Sequence, residues 1–112
     1  MNGYQLCLAF AAGLGSVACS KGLPDVDCSG DIPQLAEVSA LQKCTTCHSS
    51  QKSGAARHGA PAAVNYDTET AARANAEDAA SEVNGGDMPP KSSNITLSDA
   101  EKQALYKWAL CK

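Results

Sequence analysis

Scarcity of bulky side chains is what most limits how this chain can fold. Only Tyr4, Phe10, Tyr66, Tyr106 and Trp108 are aromatic among 112 residues, and alanine and glycine supply much of the remaining apolar content. A domain this small then has a thin core, and needs a cross-link or a bound group besides aliphatic packing. Six cysteines, too many to be background in so short a chain, offer both. The length allows one domain and excludes large multidomain enzymes, repeat solenoids and coiled coils. Nine Lys+Arg against twelve Asp+Glu give a net charge of −3. No basic patch is large enough to neutralise a run of phosphates, so nucleic acid is not expected as a partner.

All 21 formal charges lie at Lys21 or beyond, and Leu6–Ala18 is an uncharged run of thirteen apolar or small residues. Such a run is too short to span a bilayer but matches the apolar region of an export signal, with Ser16-Val17-Ala18 as the cleavage site. Residues 1–18 are therefore read as a signal peptide, although Met1–Gln5 lacks the usual positive charge. The alternative is an apolar N-terminal helix within the fold. Cys19 follows the cleavage site directly, so Ser-Val-Ala-Cys resembles a bacterial lipoprotein box with Ser16 in place of the typical leucine. Once Cys7 leaves with the signal and a Cys pair is used as described below, Cys19, Cys28 and Cys111 remain. Two of the three can pair. The mature protein is either lipid-anchored through Cys19 or soluble with a free N-terminal thiol, in both cases periplasmic.

Residues 19–30 form a polar linker, and 31–112 read as an all-α domain of three to four short helices. Asp31 is the expected cap of a first helix, with Ile32, Leu35, Val38 and Leu41 recurring along one side. Ser49–Tyr66, rich in Ser, Gly and Ala, reads as a loop. Asp67 is the expected cap of an alanine-rich helix running to about Val83 and closed by Asn84-Gly85-Gly86. Met88–Asn94 is a proline-extended loop. Ser98-Asp99-Ala100-Glu101 spells a capping box for a last helix with Leu105, Trp108 and Ala109 on one face. No alternating strand pattern of useful length is present.

Cys44-Thr45-Thr46-Cys47-His48 carries the chemistry. Two thiols three positions apart followed at once by histidine form the attachment signature of c-type haem. The turn offers both sulfurs to the vinyl groups on one porphyrin edge and directs His48 at the iron. A structural zinc site would need a fourth ligand from His58 or Cys28, with no second close Cys pair in the chain. A thioredoxin-like dithiol would need strands and a βαβ unit. Met88, the only methionine after signal removal, lies forty residues beyond His48 in a polar Gly/Pro loop not expected to bury it in a core. It is the candidate second axial ligand. His/Met ligation fills both axial positions, raises the reduction potential and favours electron transfer over small-molecule activation. His58, ten residues after His48, is read as a solvated loop histidine.

With these residues in view, the chain resembles the class I, single-haem cytochromes c of the small bacterial type. The resemblance covers Asp31 to Leu110 and rests on Cys44–His48, Gly59-Ala60-Pro61, Met88-Pro89-Pro90 and the Trp-bearing last helix. It implies one covalent haem c, with first and last helices crossing near one haem edge and the Met88 loop on the opposite face. It also implies that the Pro61 carbonyl accepts a hydrogen bond from the second nitrogen of His48, and that Arg57, Asn65 and Tyr66 lie near the propionates. The pair Cys28 and Cys111, which most members lack, falls on segments that the family fold brings together, so the resemblance implies a disulfide there, the alternative being two free thiols.

The implied function is single-electron transfer without bond-making catalysis, with transient docking to larger redox proteins by a monomer. Alternatives are a haem sensor or small peroxidase-like domain with a dissociable Met88, or a zinc or dithiol module. Charge is uneven: no acid lies between Glu37 and Asp67, where Lys43, Lys52 and Arg57 stand, whereas Asp67–Asp87 holds six acids and one base, Arg73. Such a dipole steers association and fades with salt.

Overall fold

A computed structural model describes residues 22–111. The expected signal segment and Cys19 lie outside the described residues. The described residues hold four helices, α1 (Ser39–Cys44), α2 (Glu69–Ala74), α3 (Ala76–Asn84) and α4 (Asp99–Leu110), with single 3-10 turns before α1, between α1 and α2, and between α3 and α4. No strand occurs among the described residues. α4 packs against both α1 and α3.

α4 forms as its sequence dictates. The Glu101 amide donates to Ser98 Oγ (3.1 Å) and the Ser98 amide to Glu101 Oε1 (3.0 Å), so both arms of the capping box are made. Leu105, Trp108 and Ala109 are buried as expected, and Tyr106 joins them. Arg73 lies over the Trp108 ring, 4.2 Å from its centroid, and donates to the Trp108 carbonyl. Six of the thirteen core residues are alanine, which confirms the thin core and lets the helix backbones approach closely.

The first helix differs from expectation. Residues 35–37 form one 3-10 turn that opens at Gln34, not at Asp31, because the Gln34 amide is satisfied by Glu37 Oε1 (2.9 Å). Val38 is then extended, and only at Ser39 does α1 begin. Val38 and Leu41 are fully buried and Leu35 packs at the edge of the core, so the apolar spacing marks the right face without a continuous helix.

The second helix is also divided. Asp67 does not cap it, because its carboxylate accepts from Ser49 Oγ and from the Ser50 amide and hydroxyl. Thr68 caps α2 instead, accepting from the Ala71 amide (3.2 Å). The break falls at Asn75, whose side-chain amide donates to the Ala71 carbonyl (2.9 Å), the acceptor its own backbone N–H would use in a continuing helix. The Asn75 backbone amide turns to Ala72, and the Asn75 carbonyl opens α3 by accepting from Ala79. Gly86 (φ +82°) ends α3 in the left-handed region, as the Asn-Gly-Gly signal predicts.

Cys28 and Cys111 are bonded, with Cα atoms 5.5 Å apart. Lys107 Nζ donates to the Ser29 carbonyl, so residues 28–29 are held against the end of α4.

Three outcomes follow. The cross-link spans 83 residues, so replacing both cysteines by serine should cost about 4–5 kcal/mol in the chain-entropy model, read by denaturant unfolding. A loss below 1 kcal/mol contradicts it. For Glu101, hydrogen bonds from the Ser98 amide and then from Lys43 hold the carboxyl at about 2, below its ordinary 4.5. A depressed carboxyl stabilises the fold above the unfolded value, so this contribution is present above pH 4.5 and lost as pH falls toward 2. Glu101→Gln should flatten the stability curve in that window. Ser98→Ala should lower stability by about 1 kcal/mol at any pH.

Candidate cofactor-attachment site

The end of α1 builds the site. The His48 amide donates to the Cys44 carbonyl (2.8 Å) and the Cys47 amide to the same oxygen (3.2 Å). One tight turn thereby carries Cys44, Cys47 and His48 together. Both cysteines are half-buried free thiols, and His48 is buried. Burial first, and then the neighbouring Cys47, pushes the Cys44 thiol up to about 11.

His48 Nδ1 lies 3.0 Å from the Val64 carbonyl. A carbonyl only accepts, so Nδ1 carries a proton, and in the neutral ring Nε2 is the nitrogen with the lone pair a metal needs. The resemblance gave this role to Pro61, and the structure corrects it. Pro61 and Val64 close a turn in which the Val64 amide donates to the Pro61 carbonyl (3.0 Å), which also accepts from Arg57 Nη2 (2.6 Å). That turn presents the Val64 oxygen to the imidazole. The Tyr66 ring meets the His48 ring edge-on (centroids 5.4 Å apart, 78° between planes), and the Tyr66 amide donates to the His48 carbonyl (2.9 Å). Burial, and secondarily Cys44, Asp78 and Glu82, push the Tyr66 hydroxyl above its ordinary range.

Arg57 is corrected as well. Its buried guanidinium has no donor left for a propionate, since all five N–H groups point at backbone carbonyls: Ser49, Lys52, Ala60, Pro61 and Val64. The sequence held a signal for this, because no carboxylate lies between Glu37 and Asp67 to pair with a cation in that loop. Asn65 donates to the Ala62 carbonyl, and its Oδ1 is buried without a partner among the described residues. One of the two Nδ2 N–H donors is used by Ala62, and Oδ1 is an unfilled acceptor.

Met88 is partly buried and packs on the core, contrary to expectation. Its amide and that of Asp87 both donate to the Glu82 carbonyl at the end of α3 (3.2 and 3.0 Å). Met88 lines an open cleft of about 440 Å³ with Val83, Pro89, Ile95, Leu97 and Lys102. Cys44, Cys47 and His48 are not among the cleft's lining residues. His58 is exposed, with φ +50° at the end of the Gly54–Arg57 turn.

The basic stretch is not a free cationic patch. Lys43 pairs with Glu101 (2.9 Å) and donates to Thr96, Lys52 donates to Thr46, and Arg57 is buried. Of the three cations only Lys43 is matched by a carboxylate among the described residues.

The Cys44–His48 turn carries the donors a covalently attached haem takes, two unpaired thiols and an imidazole whose Nδ1 proton faces Val64, whereas Met88 lies on a separate cleft. No protein-family model, curated protein or solved structure matches the chain.

With the thiols unmodified, Cys44 should hold about a hundredfold less thiolate at pH 8 than a thiol of ordinary value 9.0. Its alkylation by iodoacetamide in the folded chain should be slower than that of a model peptide by a similar factor. Equal rates would contradict the burial seen here.

Proposed function

We propose that this protein is a single-electron carrier of the class I cytochrome c type, exported to the periplasm and soluble or lipid-anchored through Cys19. Cys44 and Cys47 would hold one haem c through thioether bonds, and His48 Nε2 and Met88 Sδ would hold its iron. When bound, the haem supplies a one-electron Fe(II)/Fe(III) couple. The chain orients the imidazole through Val64, packs Tyr66 edge-on against it, and keeps the Cys pair close to the histidine on one turn. The observation that carries this reading is the Nδ1 hydrogen bond to Val64 directly beside two free thiols. It prepares the imidazole as a ligand and leaves both sulfurs available for bonding. Transient docking to larger redox proteins follows from a role limited to passing electrons.

Protein exported from a host competent in haem maturation should show, by intact mass, one haem added and residues 1–18 removed. Its reduced spectrum should have the sharp bands of six-coordinate low-spin iron. Met88→Ala should abolish the weak red band of the ferric methionine-ligated state, whereas His58→Ala should leave it. A colourless product, or loss of the band only in His58→Ala, refutes the assignment. Strong carbon monoxide binding to the reduced protein at neutral pH would reassign it as a sensor or peroxidase-like domain.

A further inference from the structure

We propose that Arg57 is a positioning residue for His48 which, acting through the Val64 carbonyl that the two side chains share, biases the bound iron toward the ferrous state. This rests on the haem reading of Cys44, Cys47, His48 and Met88.

The geometry is specific. Val64 O accepts from His48 Nδ1 and from Arg57 Nη2, each at 3.0 Å. The other four guanidinium N–H groups reach the carbonyls of Ser49 (2.6 Å), Lys52 (3.3 Å), Ala60 (3.1 Å) and Pro61 (2.6 Å). The loop that carries Val64 is thus gathered around one side chain. Among the described residues no carboxylate pairs with Arg57, so its positive charge is met only by carbonyl dipoles in a buried setting.

Two effects follow, with the same sign. A carbonyl already polarised by a cation is a weaker acceptor for Nδ1–H, so the imidazole gives less electron density to the metal. A buried cation one carbonyl away from the ligand also opposes the additional positive charge of ferric iron, more strongly than it would in water. Arg57 itself touches neither the iron nor the porphyrin edge in this scheme.

The test compares wild type, Arg57→Met and Arg57→Lys in the full exported chain. One readout is the midpoint potential against one-electron mediators, which supply or take the electron. The other is the exchange rate of the His48 Nδ1 proton, followed by NMR in the diamagnetic reduced protein. In Arg57→Met the ferrous-to-ferric ratio at fixed ambient potential should fall at least tenfold, about 59 mV for one electron. Nδ1–H exchange should speed up at least tenfold, because the loop presenting the Val64 carbonyl loses the side chain that gathers it, and its opening outweighs the stronger acceptor. Arg57→Lys restores the charge with three donors in place of five, so it should recover most of the potential but not the slow exchange. An unchanged potential in Arg57→Met overturns the proposal, as does an unchanged exchange rate. Should Arg57→Met fail to fold, wild-type exchange in Arg57→Lys overturns it. A wild-type chain purified without haem refutes the site reading and, with it, the ferrous bias. On that chain Nδ1–H exchange still reports the hold of Arg57 on His48, and no difference in Arg57→Lys overturns the positioning role too.

Discussion

The hydrogen bond between His48 Nδ1 and the Val64 carbonyl is the contact on which the candidate site depends. Without it the imidazole can rotate and exchange tautomers, and its Nε2 has no defined direction. The bond is possible because residues 49–64 leave the end of α1 and return to it. That excursion has no regular ladder to organise it, so a buried arginine does so by filling its donors with carbonyls. The Tyr66 amide bound to the His48 carbonyl then closes the loop from the backbone side. Asp67 ties the same return to Ser49 and Ser50, with the Ser50 hydroxyl chiefly holding its carboxyl below the ordinary range.

Around this loop the protein is held by few large side chains. Trp108, Leu41, Leu105 and Val38 are the bulkiest that are fully buried, and alanines fill much of the rest. Alanine cores bury little area per residue, so their hydrophobic stabilisation is small. The Cys28–Cys111 bond offsets part of that deficit by restricting the unfolded chain. Its placement matters, since it fixes the segment before the first turn to the end of α4, the helix both α1 and α3 lean on. Arg73 over Trp108 extends the same cluster with a flat cation in place of missing aliphatic bulk.

What could be read from the sequence was local. The Ser98–Glu101 box, the Gly86 stop and the Cys44–His48 turn are each decided within a few residues, and all three are present. The helical class was legible for the same reason, because short apolar periods specify faces. The misreadings share a different cause. Asp67 looks like a cap until Ser49 and Ser50, seventeen or eighteen positions away, take its oxygens. Asn75 looks neutral until its side chain competes for the Ala71 carbonyl. Pro61 carried the expected acceptor role by resemblance, yet the Pro61–Val64 turn moves that role three residues along. Spacing shows which groups exist, whereas their partners depend on how loops close.

The two candidate ligands are placed by different parts of the fold. His48 depends on the loop after α1, and Met88 on the end of α3, where the Glu82 carbonyl gathers the amides of Asp87 and Met88 after the left-handed Gly86. These two segments share no regular secondary structure. What relates them is α4, which packs against both α1 and α3 through a face containing Leu105 and Trp108. A helix with no candidate ligand of its own therefore sets the relation between the ligand-bearing segments. Its cap and its disulfide-anchored end hold in place the support that the two segments have in common.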